Sequence, residues 1–536
     1  MEEGKTVESM ADEIQLPEVT IQHIQSFLDR KQAARSSVLS KSWHSAWSTR
    51  PILDFDERDF QIEKVFAEFV NRTMQRYHEL KLKIEDFRLR IKVIDSTFLA
   101  NKFIKRAMQL RVNDFCLEII GGCRWYHLPV QVFEAKSLIN LSVTGCTIDQ
   151  QFDGNMICSN IESLSLCKVF VRDDTIRDIM LRFPLLKNLY LYECMGLLKV
   201  NLSKLLNLKK FSVITGDCRK SLSIEFEART IGPFICNRVN VPEYGKLSCL
   251  ILEQVKIDEF FFHDLLLKFP CLEDLSVHHC DGYNNLEISS GSLRYISLMH
   301  RFQLKKAKFE VPSICKFKFS AFNIPSLSFM TPSREFESYI SLRFTCWSLG
   351  VRDCWFLALK KFLTELSSSR ISLKIMIISE RVNPCLGDNR GFPIPVVENL
   401  IVNVFLSSWL NADVLEGVFR SCRPKFVTVY DDDDILKRKL LGHEFITRHD
   451  NEHLRIRKLL CKLLVQQASQ DWSYSAREFS YMNDLEEVNV ESFEETLKKW
   501  RPLPWQALLD FSKIQENKEQ LRFRLRWRAH TRVTMV

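Results

Sequence analysis

Residues 161–197 align with residues 247–283 without a gap, at a constant offset of 86. Leu164, Leu166, Val169 and Phe183-Pro184 fall on Leu250, Leu252, Val255 and Phe269-Pro270. Leu186, Leu189, Cys194 and Gly196 fall on Leu272, Leu275, Cys280 and Gly282. A chain that repeats itself at this scale buries each unit's apolar face on the next unit and grows by stacking. At 536 residues it also exceeds what one hydrophobic core usually holds.

A shorter unit lies inside the long match. Leu-x-[Leu/Val]-x-x-[Cys/Val] occurs at Leu141-Val143-Cys146, Leu164-Leu166-Val169, Leu189-Leu191-Cys194, Leu250-Leu252-Val255 and Leu275-Val277-Cys280. Successive units stand 23, 25 and, after a break, 25 residues apart, within the period of leucine-rich repeats. Leu-x-Leu describes a short strand with one face inward, and the Cys turns into the interior where the strand ends. Weaker coils are expected around Leu89, Phe115-Leu117, Phe211-Val213, Ile296-Leu298, Phe317-Phe319, Leu373-Ile375, Leu400-Val402 and Phe426-Thr428. Thr175–Leu181 and Phe262–Leu267 read as helices stopped by Pro184 and Pro270. Each coil is therefore expected to be strand, turn, helix, turn. The fold class is α/β, an irregular solenoid with a parallel sheet.

Residues 15–60 carry a different pattern. Pro17 suits the start of a helix, and Ile21, Ile24 and Leu28 then share one face. Asp29 and Gln32 form a capping pair between two helices. Ser40 can cap a third, on which Leu39, Trp43 and Trp47 recur every four residues. Three helices of this size bury too little to be stable alone, so their exposed apolar side needs a partner. Leu16-Pro17, Ile24, Phe27-Leu28, Ala33-Ala34-Arg35, Val38-Leu39-Ser40-Lys41, Trp43 and Trp47 resemble an F-box, and Pro51–Asp56 resembles the exit of plant F-boxes. Val19-Thr20 and His44 depart from that family's usual residues. With the repeats, most of residues 12–430 resembles plant F-box/leucine-rich-repeat proteins. The resemblance implies a non-catalytic substrate receptor of a Skp–cullin–F-box ubiquitin ligase. Leu16, Pro17, Ile21, Ile24, Leu28, Val38, Leu39 and Trp43 would dock on the Skp-type adaptor, and through it reach a cullin–RING ligase.

The expected organisation is a flexible start at 1–11, the F-box at 12–56, a connector helix within 57–80, the solenoid over 81–430, and a partly helical extension over 431–536. In the connector, Ile62, Phe66, Phe69 and Val70 are expected to face inward. In the extension, residues 452–468 read as an amphipathic helix and Asp431–Asp434 as a solvated acidic run. Arg522–Arg528 alternate with apolar residues, the pattern of a half-exposed strand, expected at the edge of the sheet.

No phosphate loop, nucleophile elbow, zincin motif or dinucleotide fingerprint occurs. The 17 cysteines include no Cys-x-x-Cys pair, so buried thiols are expected, with no metal and no cofactor. The polar, acidic start is no secretory signal, and no apolar run reaches the roughly 18 residues of a membrane span. The chain is therefore expected inside the cell, in cytoplasm or nucleus. A net charge of +8 over this length does not argue for nucleic acid. In the solenoid, residues flanking the inward leucines line the open sheet face. Among them Tyr190, Tyr192 and His278 are the candidate contacts to a protein substrate, since large amphipathic rings on an exposed sheet anchor interfaces; the tyrosines could equally cover a neighbouring coil. Two other readings stay open: a receptor whose solenoid holds a small molecule, and an interaction scaffold outside any ligase.

Overall fold

The computed structural model describes residues 16–92, 97–121, 126–149, 160–202, 205, 207–215, 223–225, 247–255, 257, 261–300, 304–330, 335–344, 355–377, 393–404, 412–429, 484–494, 497–503 and 521–528. The chain divides into two units, Met1–Val239 and Asn240–Val536.

The first unit begins with three short helices, α1 (Glu18–Ser26), α2 (Arg30–Ser36) and α3 (Lys41–Thr49). Their limits follow from local chemistry. Pro17 is the N-cap of α1, and its carbonyl accepts from Thr20 and Ile21. Asp29 and Gln32 form a reciprocal capping box at α2. The Ser40 hydroxyl accepts from the Trp43 amide at α3. Ile21, Ala33 and Ala46 are buried between the helices, with the Gln25 side chain bonded to Ser36 and to the Trp43 carbonyl.

The chain leaves α3 directly into a strand, Ile52–Asp56, which pairs in parallel with Asp86–Lys92. The helix α4 (Glu63–Glu79) crosses between them, burying Phe66, Val70, Met74 and Tyr77. Ile62 and Phe69, expected inward, are exposed. Ile62 precedes the helix as its N-cap, and Phe69 lies against the Phe55 and Phe60 rings at the border of the core. Strands Asp114–Ile120, Asn140–Thr144, Ser163–Cys167, Asn188–Tyr192 and Lys210–Ile214 then add in sequence order, all parallel. Their registers line up one interior row: Leu53, Phe87, Phe115, Leu141, Leu164, Leu189 and Phe211. Each is at most a few per cent exposed, and burial of such a side chain stabilises by about 1.5–3 kcal/mol.

In both units a strand of the repeat ends in a residue of positive φ: Gly145, Lys168, Glu193, Gln254 and His279. Its amide donates to a carbonyl at the end of the next strand, as from Gly145 to Cys167, Lys168 to Tyr192 and Gln254 to His278. The bond helps offset the left-handed conformation, which costs a non-glycine residue about 1–3 kcal/mol. The following residue, Cys146, Val169, Cys194, Val255 or Cys280, starts the turn toward the interior.

In the second unit the parallel series is Cys249–Glu253, Asp274–His278, Tyr295–His300, Lys316–Ala321, Phe336–Phe344, Ser369–Ile377, Val396–Val404 and Arg423–Val429. Helices Phe261–Lys268, Trp355–Glu365 and Ala412–Ser421 connect some of these strands. The helix of residues 173–182 in the first unit and that of 261–268 stop just ahead of Phe183-Pro184 and Phe269-Pro270. The expectation of a helix in every coil fails where the repeat is short. Leu275, Ile296, Phe317 and Ser338 are in register at a constant step of 21 residues, which leaves too few for a helix. Short strands Asn285–Ser289, Lys306–Glu310 and Ser326–Phe329 replace it and form a parallel sheet of their own. Around Phe426 the expected register slips by one: Val427, not Phe426, follows Leu400 in the interior row.

Arg522–Arg528 does fall in a strand, Leu521–Trp527, but not at an edge. It lies antiparallel between Arg423–Val429 and Leu485–Glu494, and the latter pairs onward with Lys499–Pro502. Burial of Phe523 and Leu525 explains the alternation. Residues 1–11, Asp431–Asp434 and 452–468 lie outside the described residues. Among the described residues, no helix is long and apolar enough to cross a membrane.

Candidate functional site

Folding the three-helix unit sorts its apolar residues by depth. Ile21 is 1% exposed and holds α1 onto α2 and α3; this candidate docking residue serves the unit's own core. Leu28 and Trp43 are half-buried. Leu16, Pro17, Ile24, Val38 and Leu39 are exposed, Val38 at 85%. Val19 and Phe27, named in the F-box comparison but not counted among the docking residues, are exposed as well. The signal that could have found them is helical position. Val19 is displaced by two residues from Ile21 and so cannot share its buried face.

The unit is fastened to the first strands of the sheet by charge. Arg30, at the start of α2, reaches Asp56 at 2.9 Å, Asp59 at 2.6 Å and Asp54 at 3.7 Å. Arg90 of the neighbouring strand reaches Asp54 at 2.8 Å and Glu118 at 3.1 Å. Burial would raise the Asp56 carboxyl, but bonds from Arg58 and Arg30 hold it well below the usual carboxylate range. The Tyr77 hydroxyl of α4 donates to the Arg50 carbonyl at 2.7 Å, which anchors the end of α3. Between α1, α2 and these strands lies an open cavity of about 820 Å³ whose lining includes His23, Arg50, Arg88 and Arg90. Desolvation lowers the Arg50 pKa from its ordinary value.

The candidate substrate contacts belong to different units. Tyr190 and Tyr192 lie on one face of Asn188–Tyr192, with Lys210 Nζ 5.3 Å above the Tyr190 ring. Tyr192 is the more exposed. His278, in the second unit, has Nε2 2.9 Å from Ser297 Oγ. Burial lowers its pKa from the ordinary histidine value, Glu253 opposes that, and Lys318 adds to it.

Residues 14–55 match the F-box domain family. The chain is 31% identical over 199 residues to the putative F-box/LRR-repeat protein At3g18150 of Arabidopsis thaliana, covering 37% of this chain and 41% of that protein. It is 29% identical over 207 residues to the putative F-box/LRR-repeat protein At5g02930 of the same plant, covering 39% and 42%. The match thus spans about two-fifths of the length of these relatives. Capped helices with an exposed apolar side, leading into stacked leucine-rich strands, define an F-box protein with a repeat solenoid. Residues 14–55 are thus an F-box, and over the matched two-fifths the chain is similar to plant F-box/LRR-repeat proteins.

Proposed function

We propose that this chain is the substrate-recognition subunit of a Skp–cullin–F-box ubiquitin ligase. Leu16, Pro17, Val19, Ile24, Phe27, Val38 and Leu39 dock on the Skp-type adaptor, with Leu28 and Trp43 at the margin. The sheet face of the repeats holds a protein substrate, with Tyr190, Tyr192 and His278 among its contacts. The chain itself is non-catalytic. It raises the effective concentration of substrate beside an enzyme carried by other subunits. The F-box extends over 12–56, the connector over 57–80 and the repeats over 81–430, and the protein works inside the cell.

The observation that carries this reading is the exposure of so many large apolar residues on a unit of three short helices, a surface that water alone would leave unsatisfied. The test is co-expression with a Skp-type adaptor. Joint replacement of Leu16 and Pro17 by Ala should abolish co-purification while circular dichroism stays unchanged. Undiminished recovery of the adaptor would reject the proposal.

The cavity beside Arg50 supports a second reading, a small-molecule receptor of the same architecture. An Arg50→Met variant would then capture substrate only poorly while still recovering the adaptor.

A further inference from the structure

The open face of the second unit's sheet carries a row of side chains set by strand register. Lys318, Tyr339, Ser372, Asn399, Phe426 and Arg524 are successive partners across six strands. No carboxylate stands in that row. Lys318 and Arg524, at its two ends, are exposed. Among the described residues neither has an ion pair; Lys318 Nζ lies 5.6 Å above the Tyr295 ring instead. One register step away, Arg522 stacks at 4.4 Å over both Phe426 and Trp500, and its charge is taken by Glu491. Between the cations lie short neutral hydrogen-bonding groups and two rings.

Strands stand about 4.8 Å apart, so five steps separate Lys318 from Arg524 by about 24 Å. An extended peptide covers that distance in about seven residues. Uncompensated cations on an open face attract a segment of opposite sign and fix its register, while rings between them accept apolar side chains. Carboxylates in the next row, Asp274 and Glu337, disfavour a continuous phosphate backbone. We propose that this row binds an extended acidic peptide, with two carboxylate groups about seven residues apart, and that such a segment marks the ligase substrate. The proposal rests on the reading above for the word substrate, and on the row alone for the peptide.

The test uses the full chain purified with its adaptor and a fluorescein-labelled peptide of neutral residues carrying paired glutamates about seven residues apart. Fluorescence anisotropy should show binding that weakens with salt and falls about tenfold when the glutamates become glutamines. The double variant Lys318→Glu, Arg524→Glu should lose the peptide. A control with the same charge change at the start of the outer short strand, Lys305→Glu, Lys306→Glu, should keep it. Equal loss in both variants would make the effect one of net charge and overturn the proposal, as would retention by the first. An oligouridylate of matching length that displaces the peptide and depends on Lys318 and Arg524 would replace the peptide reading with nucleic acid. Adaptor recovery is measured on the same samples: its loss with peptide binding intact rejects the ligase reading alone.

Discussion

Gly282 faces the carbonyl oxygen of Ile257 so closely that a Cβ on it would collide with that oxygen. The same relationship recurs 86 residues earlier, where Gly196 faces the carbonyl of Val171 at 2.8 Å for its would-be Cβ. Both glycines have positive φ, 107° and 85°. In each repeat the residue before the glycine ties this turn to the coil before it. Ile257 and Val171 donate their amides to Asp281 and Met195, which donate in turn to Val255 and Val169.

Gly282→Ala should therefore destabilise the second unit by more than the about 1–3 kcal/mol of backbone strain alone, because a backbone oxygen must also move. Gly196→Ala should cost less, since its contact is longer. Denaturant midpoints of the two variants give the order. An unchanged midpoint for Gly282→Ala would contradict the turn geometry.

Depth separates two kinds of F-box residue. Ile21→Ala should lower stability by about 2–5 kcal/mol and lose the adaptor only as a consequence of unfolding. Val38→Ala with Leu39→Ala should leave the melting temperature near its original value and still lose the adaptor. If the second variant unfolds like the first, the exposed side is part of the chain's own core.

The repeat cysteines make a chemical ruler of burial. Desolvation pushes the Cys146, Cys194 and Cys280 thiols up to about 12, and Cys194 Sγ lies 3.3 Å from the Leu166 carbonyl oxygen it donates to. Cys271 and Cys315 are exposed. Under native conditions an alkylating reagent should modify the latter pair quickly and the three repeat thiols only on unfolding. Mass spectrometry of labelled peptides settles the order, with fast labelling of Cys146 as the contrary result.

His300 supplies a pH dependence. It is buried 3.2 Å from the Tyr283 hydroxyl, and burial, with His279 and His278 nearby, pushes its pKa from 6.5 to about 4. The unfolded chain takes up this proton first. Stability from the neutral ring is complete above pH 6.5 and declines as pH falls toward about 4, by about 3 kcal/mol in all. His300→Phe should flatten the acid limb of a stability-against-pH curve; an identical limb would assign the acid loss to other groups.

Much of this was legible in the residues. The Asp29–Gln32 and Ser40 caps, the Leu-x-Leu strands and the proline-stopped helices each follow from short-range chemistry, which a sequence displays directly. Periodicity gives a face but not its depth, so Ile21 and Ile24 looked alike until α2 and α3 closed over one of them. The replacement of outer helices by strands depended on the length of the coil between Leu275 and Ser338, where no motif stands. Ser338 itself occupies an interior position that other coils give to leucine or phenylalanine, fully buried and, among the described residues, with no hydrogen-bond partner for its Oγ. Nothing in the sequence marks that place as interior. The position of Leu521–Trp527 between two strands depended on a partner about thirty residues away, Leu485–Glu494, beyond any local pattern. The Lys318 to Arg524 row could not be seen at all, because register brings its members together across some two hundred residues of chain.

Ile52–Asp56 has a practical consequence for anyone cutting this gene. The strand is at once the exit of the F-box match and the outermost rung of the first sheet, so the two cannot be separated at residue 56 without stripping a rung. Truncation there would bare the Asp86–Lys92 backbone as a raw edge, an invitation to sticky intermolecular pairing. It would also remove the aspartates that Arg90 holds. A substrate-trapping version should end its deletion at residue 50, and chimeras that exchange F-boxes between relatives should make the same cut.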